Sequence, residues 1–149
     1  MACDPSSLSN PDEARVAHLS WDAVVDFETH QFVAKAIYDV EIVAQDVRVL
    51  RLDTSELDVK SVEVDGSPAT FSLSVPDAAK SHLGSCLKID LAGAKDKTAG
   101  SKISVTIHYA TSPSASAAQW LPPAQTAGKV HPYVFSACFV SAVVCNSYQ

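Results

Sequence analysis

Apolar residues recur at every second position along most of this chain, the period of a strand that buries one face. Leu19, Trp21, Ala23, Val25 and Phe27 share one side of an extended segment, with His18, Ser20, Asp22 and Asp26 opposite. Glu28-Thr29-His30 suits a hairpin turn. Phe32, Ala34, Ala36, Tyr38, Val40 and Ile42 then resume the alternation against Lys35, Asp39 and Glu41. The two segments predict a long antiparallel pair. Trp21 and Tyr38 both stand in apolar rows and are expected in the core.

The pattern continues downstream. Val47 to Leu52 is a β-branched-rich run stopped by Asp53-Thr54-Ser55-Glu56. Leu57 and Val59 fall out of step with Val62 and Val64, which predicts a bulge near Lys60-Ser61. Asp65-Gly66 marks a hairpin turn leading into Ala69, Phe71, Leu73 and Val75 as one strand. Leu87, Ile89 and Leu91 make a shorter strand, and Ile103, Val105, Ile107 and Tyr109 another. About seven strands on short turns, with no amphipathic helix, define an all-β antiparallel fold. A sandwich, or a large curved sheet over a smaller one, would cover the apolar faces. The polar residues up to about Ala14, with Pro5 and Pro11, are expected to wrap the surface. Residues 117–136 look too irregular for a strand or helix and too rich in large side chains for a linker. They predict a structured loop anchored to the body.

Composition narrows the function. The 149 residues allow one domain around one core. The net charge of −6 is unevenly spread, because every Asp and Glu lies at or before Asp96 and only Lys102 and Lys129 carry charge after Gly100. An acidic body argues against nucleic acid, which needs clustered Lys and Arg. The uncharged end reads as surface meant to be covered. Met1 to Pro5 lacks a basic start and an apolar run, so no secretory leader is expected. No apolar run approaches the ~18 residues that span a bilayer. Cys3, Cys86, Cys138 and Cys145 are scattered without a Cys-x-x-Cys spacing, which favours reduced thiols and a cytoplasmic setting over a disulfide framework.

Catalytic machinery is not visible. His18, His30, His82, His108 and His131 include no His-Glu-x-x-His, so a helical zinc pair with its general base is absent. No Gly-x-Ser-x-Gly elbow and no phosphate-cradling glycine loop occur. Cys138 with His131 could be imagined as a thiol and base, but apolar neighbours such as Phe135 and Phe139 raise a thiol pKa rather than lower it. The pairs Asp22 with Asp26 and Asp53 with Glu56 read as solvated carboxylates on strands and turns.

The stretch Ser112-Pro113-Ser114-Ala115-Ser116-Ala117-Ala118-Gln119-Trp120-Leu121, followed by Gln125-Thr126-Ala127-Gly128-Lys129, His131-Pro132-Tyr133 and Phe135-Ser136, resembles the leukotriene A(4) hydrolase group of the M1 zinc aminopeptidases. Asp4-Pro5-Ser6-Ser7, Val25-Asp26-Phe27 and Leu52-Asp53-Thr54 add earlier matches, and the resemblance runs through Cys138. It implies an N-terminal β-domain with a saddle-like arrangement of sheets, packed against a thermolysin-like catalytic domain and followed by a helical one. It also implies zinc in the full-length parent, held by motifs beyond residue 149. The β-domain of the family lends two glutamines to the active site, in Phe-Ser-Gln-Cys-Gln. Here those positions are Ala137 and Phe139, so substrate-binding carboxamides are lost and only Cys138 matches.

These readings divide the chain into a partial β-domain, residues 1–138, and a divergent apolar tail, residues 139–149, as in a truncated product. No catalytic residue, metal ligand or cofactor is expected in the chain itself. Its expected partner is the catalytic domain of the parent enzyme, with neither nucleic acid nor membrane as a partner. The alternative is a free-standing β-sandwich that binds another protein through its uncharged end.

Overall fold

A computed structural model describes residues 6–74 and 83–136. The predicted long pair is β1 (Ala14–Asp26) and β2 (Gln31–Ile42), joined antiparallel from Ala14↔Ile42 to Asp26↔Gln31. The strands that follow are β3 (Val49–Thr54), β4 (Leu57–Val64), β5 (Ser67–Pro68), β6 (Phe71–Leu73), β7 (Ser85–Asp90) and β8 (Lys102–Thr111). The last two are β9 (Ala118–Leu121) and β10 (Tyr133–Ser136). They form a five-stranded sheet in the order β1-β2-β8-β4-β5, a three-stranded sheet β3-β7-β6 and a two-stranded sheet β10-β9. Every pairing is antiparallel, so the fold is all-β as the alternation predicted.

The core lies between the larger sheets. Tyr38, Val40 and Ile42 on β2, Val62 and Val64 on β4, and Val105 and Ile107 on β8 face inward from the large sheet. Leu50 and Leu52 on β3, and Leu87 and Ile89 on β7, meet them from the small one, with Leu91 just beyond. Each of these buried aliphatic side chains contributes about 1.5–3 kcal/mol over an exposed position. Of the two arrangements the sequence allowed, the large sheet over the smaller one is found. The N-terminal segment is tied down by Asn10, whose Nδ2 donates to Val49 O (2.9 Å) while its Oδ1 accepts from Arg51 N (2.8 Å).

Local predictions hold where the turn chemistry is strong. The β4–β8 register slips between Val59 and Ser61, at the predicted bulge. Asp65 and Gly66 both take positive φ, 50° and 80°, as a two-residue hairpin of this hand requires. The Asp65 carboxylate also accepts from Lys95 N (2.9 Å) and Ser104 N (3.0 Å), which pins the turn to the neighbouring loop. Gly84, at φ 72°, is demanded by space as well as conformation, since a Cβ there would stand 2.2 Å from Thr54 O.

Three expectations fail. Ala69 to Val75 is not one strand: Ala69 N bonds Val62 O in the large sheet, whereas Thr70 O accepts from Asp90 N in the small one. The chain changes sheet between these two residues, and Pro68, which has no N–H, sits on the large sheet's edge strand. Val75 lies outside the described residues. Secondly, residues 117–136 are not merely a loop, for they contain β9 and β10. Thirdly, Trp21 is 51% exposed, unlike Tyr38 at 1%. Trp21 lies on the edge strand of the large sheet, opposite the fully buried Ala36, and Val25 and Phe27 toward the hairpin end are exposed as well.

Candidate functional site

The unclaimed aromatic surface at that hairpin end is where the Gln119-Trp120-Leu121 segment docks. The Trp120 ring lies 5.6 Å from Phe27, edge to face, 5.5 Å from Phe32, and 5.1 Å from His30 in a stack tilted by only 20°. His30 is held for this by its place in the β1–β2 turn, at φ 55°. Asp26 braces the turn by accepting from Glu28 N (2.8 Å) and Thr29 N (3.1 Å). The Thr29 side chain, which hydrogen-bonds the carboxylate as well, and then these two backbone bonds hold the Asp26 carboxyl below the usual carboxylate range. Trp21 closes the other side, with its ring 6.2 Å from Phe32 and its Nε1–H donating to Tyr109 Oη at 2.8 Å. The motif marks out Trp120 but assigns it no neighbour, and in the sequence His30 stands only as a turn residue and one of five histidines.

From this dock the chain makes an excursion and returns as β10, with Tyr133 opposite Leu121 and Ser136 opposite Ala118. Proline sets the path at Pro122 and Pro123, which open a 3-10 turn over Pro123–Gln125. Thr126 is its knot: Oγ1 donates to Pro123 O (2.9 Å) and lies 3.0 Å from His131 O. The excursion encloses an open depression of about 460 Å³ between Leu121, Thr126, Val130, Pro132 and Tyr133. Val130, Tyr133 and Phe135 are exposed. This charge-poor surface offers contact rather than reactive groups.

The candidate reactive groups do not come together. Among the described residues no three His, Cys, Asp or Glu side chains are placed to hold a metal ion. Asp53 is used structurally, accepting from Ser7 Oγ (2.6 Å) and Leu8 N (2.7 Å), while Glu56 accepts from Ser116 N (3.0 Å). His18 points away from the core near Ser20, and His131 is exposed. Cys86 is free and buried, and burial raises its thiol pKa, the opposite of activation. Cys138, Ala137, Phe139 and His82 lie outside the described residues. Every buried side-chain nitrogen and oxygen described has a hydrogen-bond partner. No described helix is long and apolar enough to cross a membrane.

No family model matches the chain. It is 38% identical to leukotriene A-4 hydrolase of Xenopus laevis over 144 residues, 97% of this chain and 22% of that protein. It is likewise 38% identical to leucine aminopeptidase 2 of Yarrowia lipolytica over 135 residues, 91% of this chain and 20% of that protein. Yeast LTA4 hydrolase superposes with a TM-score of 0.77 at 34% identity, over 90% of this chain and 20% of the yeast one. The M1 zinc metallopeptidase of Deinococcus radiodurans shares the fold alone, at 12% identity and TM-score 0.55 over 72% of this chain and 23% of its own. The chain thus spans about a fifth of the length of the relatives it matches.

Proposed function

We propose that this chain, a homologue of the leukotriene A-4 hydrolases and leucine aminopeptidases 2 with the fold of their N-terminal β-domain, serves such an enzyme as a non-catalytic docking domain. The observation that carries this reading is the pairing of a whole-chain match with coverage of only a fifth of each relative. The described residues do not fit a zinc ion, so the metal chemistry named for the Deinococcus relative would fall to residues elsewhere in a parent enzyme. What this chain supplies is a rigid β body and, clasped to it by Trp120, a charge-poor surface of Val130, Tyr133 and Phe135 suited to packing against a catalytic domain. The parent would work in the cytoplasm, releasing N-terminal residues from peptides, in keeping with the name of the leucine aminopeptidases, and hydrolysing an epoxide lipid, in keeping with that of the leukotriene A-4 hydrolase.

The purified chain should not hydrolyse a chromogenic aminoacyl substrate, with or without added zinc. Turnover abolished by a chelator would mean that the chain holds a working metal site and would overturn the reading. Turnover that survives the chelator but not Cys138→Ser would overturn it in favour of a thiol hydrolase using Cys138 and His131. Exposure of the same apolar end also favours a second reading, a free-standing module that binds another protein there.

A further inference from the structure

Among the described residues, nothing pairs with the outer edge of β1 between Arg15 and Asp26. The strand has 13 residues, ends the order of the five-stranded sheet and, among the described strands, pairs with β2 alone. Between Arg15 and Asp26 its backbone makes no hydrogen bond, among the described residues, beyond those to β2. Such an edge is a template for another strand, and proteins blunt it with bulges or charges. Here one bulge, between Val16 and His18, leaves His18 to Asp26 regular.

The charges on this edge are ordered rather than scattered. The first half of β1 carries Arg15 and His18 and no acid, and the second half carries Asp22 and Asp26 and no base. All four share the outer face of the sheet with Ser20 and Val24, opposite Glu41, Asp39, Lys35 and Gln31 of β2. A strand with basic and acidic halves complements a second copy of itself run antiparallel. Run parallel, it would set like beside like.

We propose that β1 is a homodimerisation edge, joined antiparallel to β1 of a second copy about a two-fold axis through Ser20. The two five-stranded sheets then become one. In this register each His18 faces the Asp22 of the other copy, and each Leu19 covers the half-exposed Trp21 of the other, giving each contact twice by symmetry. Moving the axis by one residue loses the His18–Asp22 pairs. Moving it by two sets His18 against His18 or Asp22 against Asp22. The proposal does not depend on the docking role above, because its readout is association and not turnover.

The full chain should run as a dimer in light scattering at about 100 µM, and Asp22→Lys should weaken the dimer about tenfold. The double exchange of His18→Asp with Asp22→His should restore it, which separates a broken interface from a broken fold. Ser20→Cys should cross-link two chains under mild oxidation, with the disulfide mapped to that position. Val24→Cys should not, since those sites would stand about 26 Å apart at ~3.3 Å per residue. A monomer at that concentration, a dimer indifferent to Asp22→Lys, or equal cross-linking through Val24→Cys would each overturn the proposal.

Discussion

The body of this chain and its β9–β10 clasp stay in place by different means. In the body, three strands of the large sheet and two of the small one interleave aliphatic rows, so that Val40, Val64, Leu87, Ile89, Val105 and Ile107 are fully buried. The clasp has four residues in each strand, none of them buried, and meets the body chiefly through the rings around Trp120. The body therefore opens as a unit, while the clasp can leave it at far lower cost. A surface built for docking belongs on the second kind of structure, and a rigid platform is the business of the first.

The largest effect should come from the body. Leu87 is fully buried and sits opposite Leu52 in β3, so Leu87→Ala removes a side chain that neither sheet can easily replace. A loss of about 3 kcal/mol is expected, lowering the melting temperature by roughly 10 °C in a single transition. If only part of the signal shifted, the two sheets would not form one cooperative core and the comparison would break.

What was legible in the sequence follows the same division. Strict alternation at β2 and β8 fixed both the strands and their buried rows, because a period of two leaves no choice of face. The change of sheet between Ala69 and Thr70 was invisible, since both halves of that run keep their apolar faces toward one core and the alternation never breaks. Trp21 escapes the core for a tertiary reason: its row is apolar, but it stands on the edge strand, where burial is complete at its partner Ala36 on β2 and not at Trp21 itself. β9 and β10 escaped notice because they are short, half-exposed and separated by Pro122, Pro123 and Pro132. At the candidate site, the motif around Trp120 pointed to a family, but only the structure gave the indole something to do.

Removing that indole sharpens the contrast between clasp and body. Partly exposed aromatic pairs contribute about 0.5–1.5 kcal/mol each, and Trp120 makes three ring contacts at once. Trp120→Ala should make the amides of β9 and β10 exchange at least about tenfold faster, while the global transition moves by about 1 °C or less. Trp120→Phe should recover part of the protection through Phe27 and Phe32. Equal loss of protection in β2 and β8 would show that the clasp is part of the body after all.

The smallest effect should appear with pH, and only in the body. Burial raises the Cys86 thiol above its ordinary value of 9.0, outweighing the nearby Lys88 and Arg51, which lower it. The unfolded chain therefore loses this proton first. The stability linked to Cys86 is complete below pH 9, falls as pH rises past 9, and is gone above the folded-state pKa. The buried phenols of Tyr38 and Tyr109 are raised by burial as well and add the same kind of loss at higher pH, beyond their ordinary 10.0. Between about pH 7.5 and 9.5 the melting temperature of the wild type should fall further than that of Cys86→Ala, which has no thiol to titrate. Parallel curves would mean that Cys86 ionises as easily folded as unfolded, and that the seam where its Sγ meets Leu8 O at 3.6 Å is open to water.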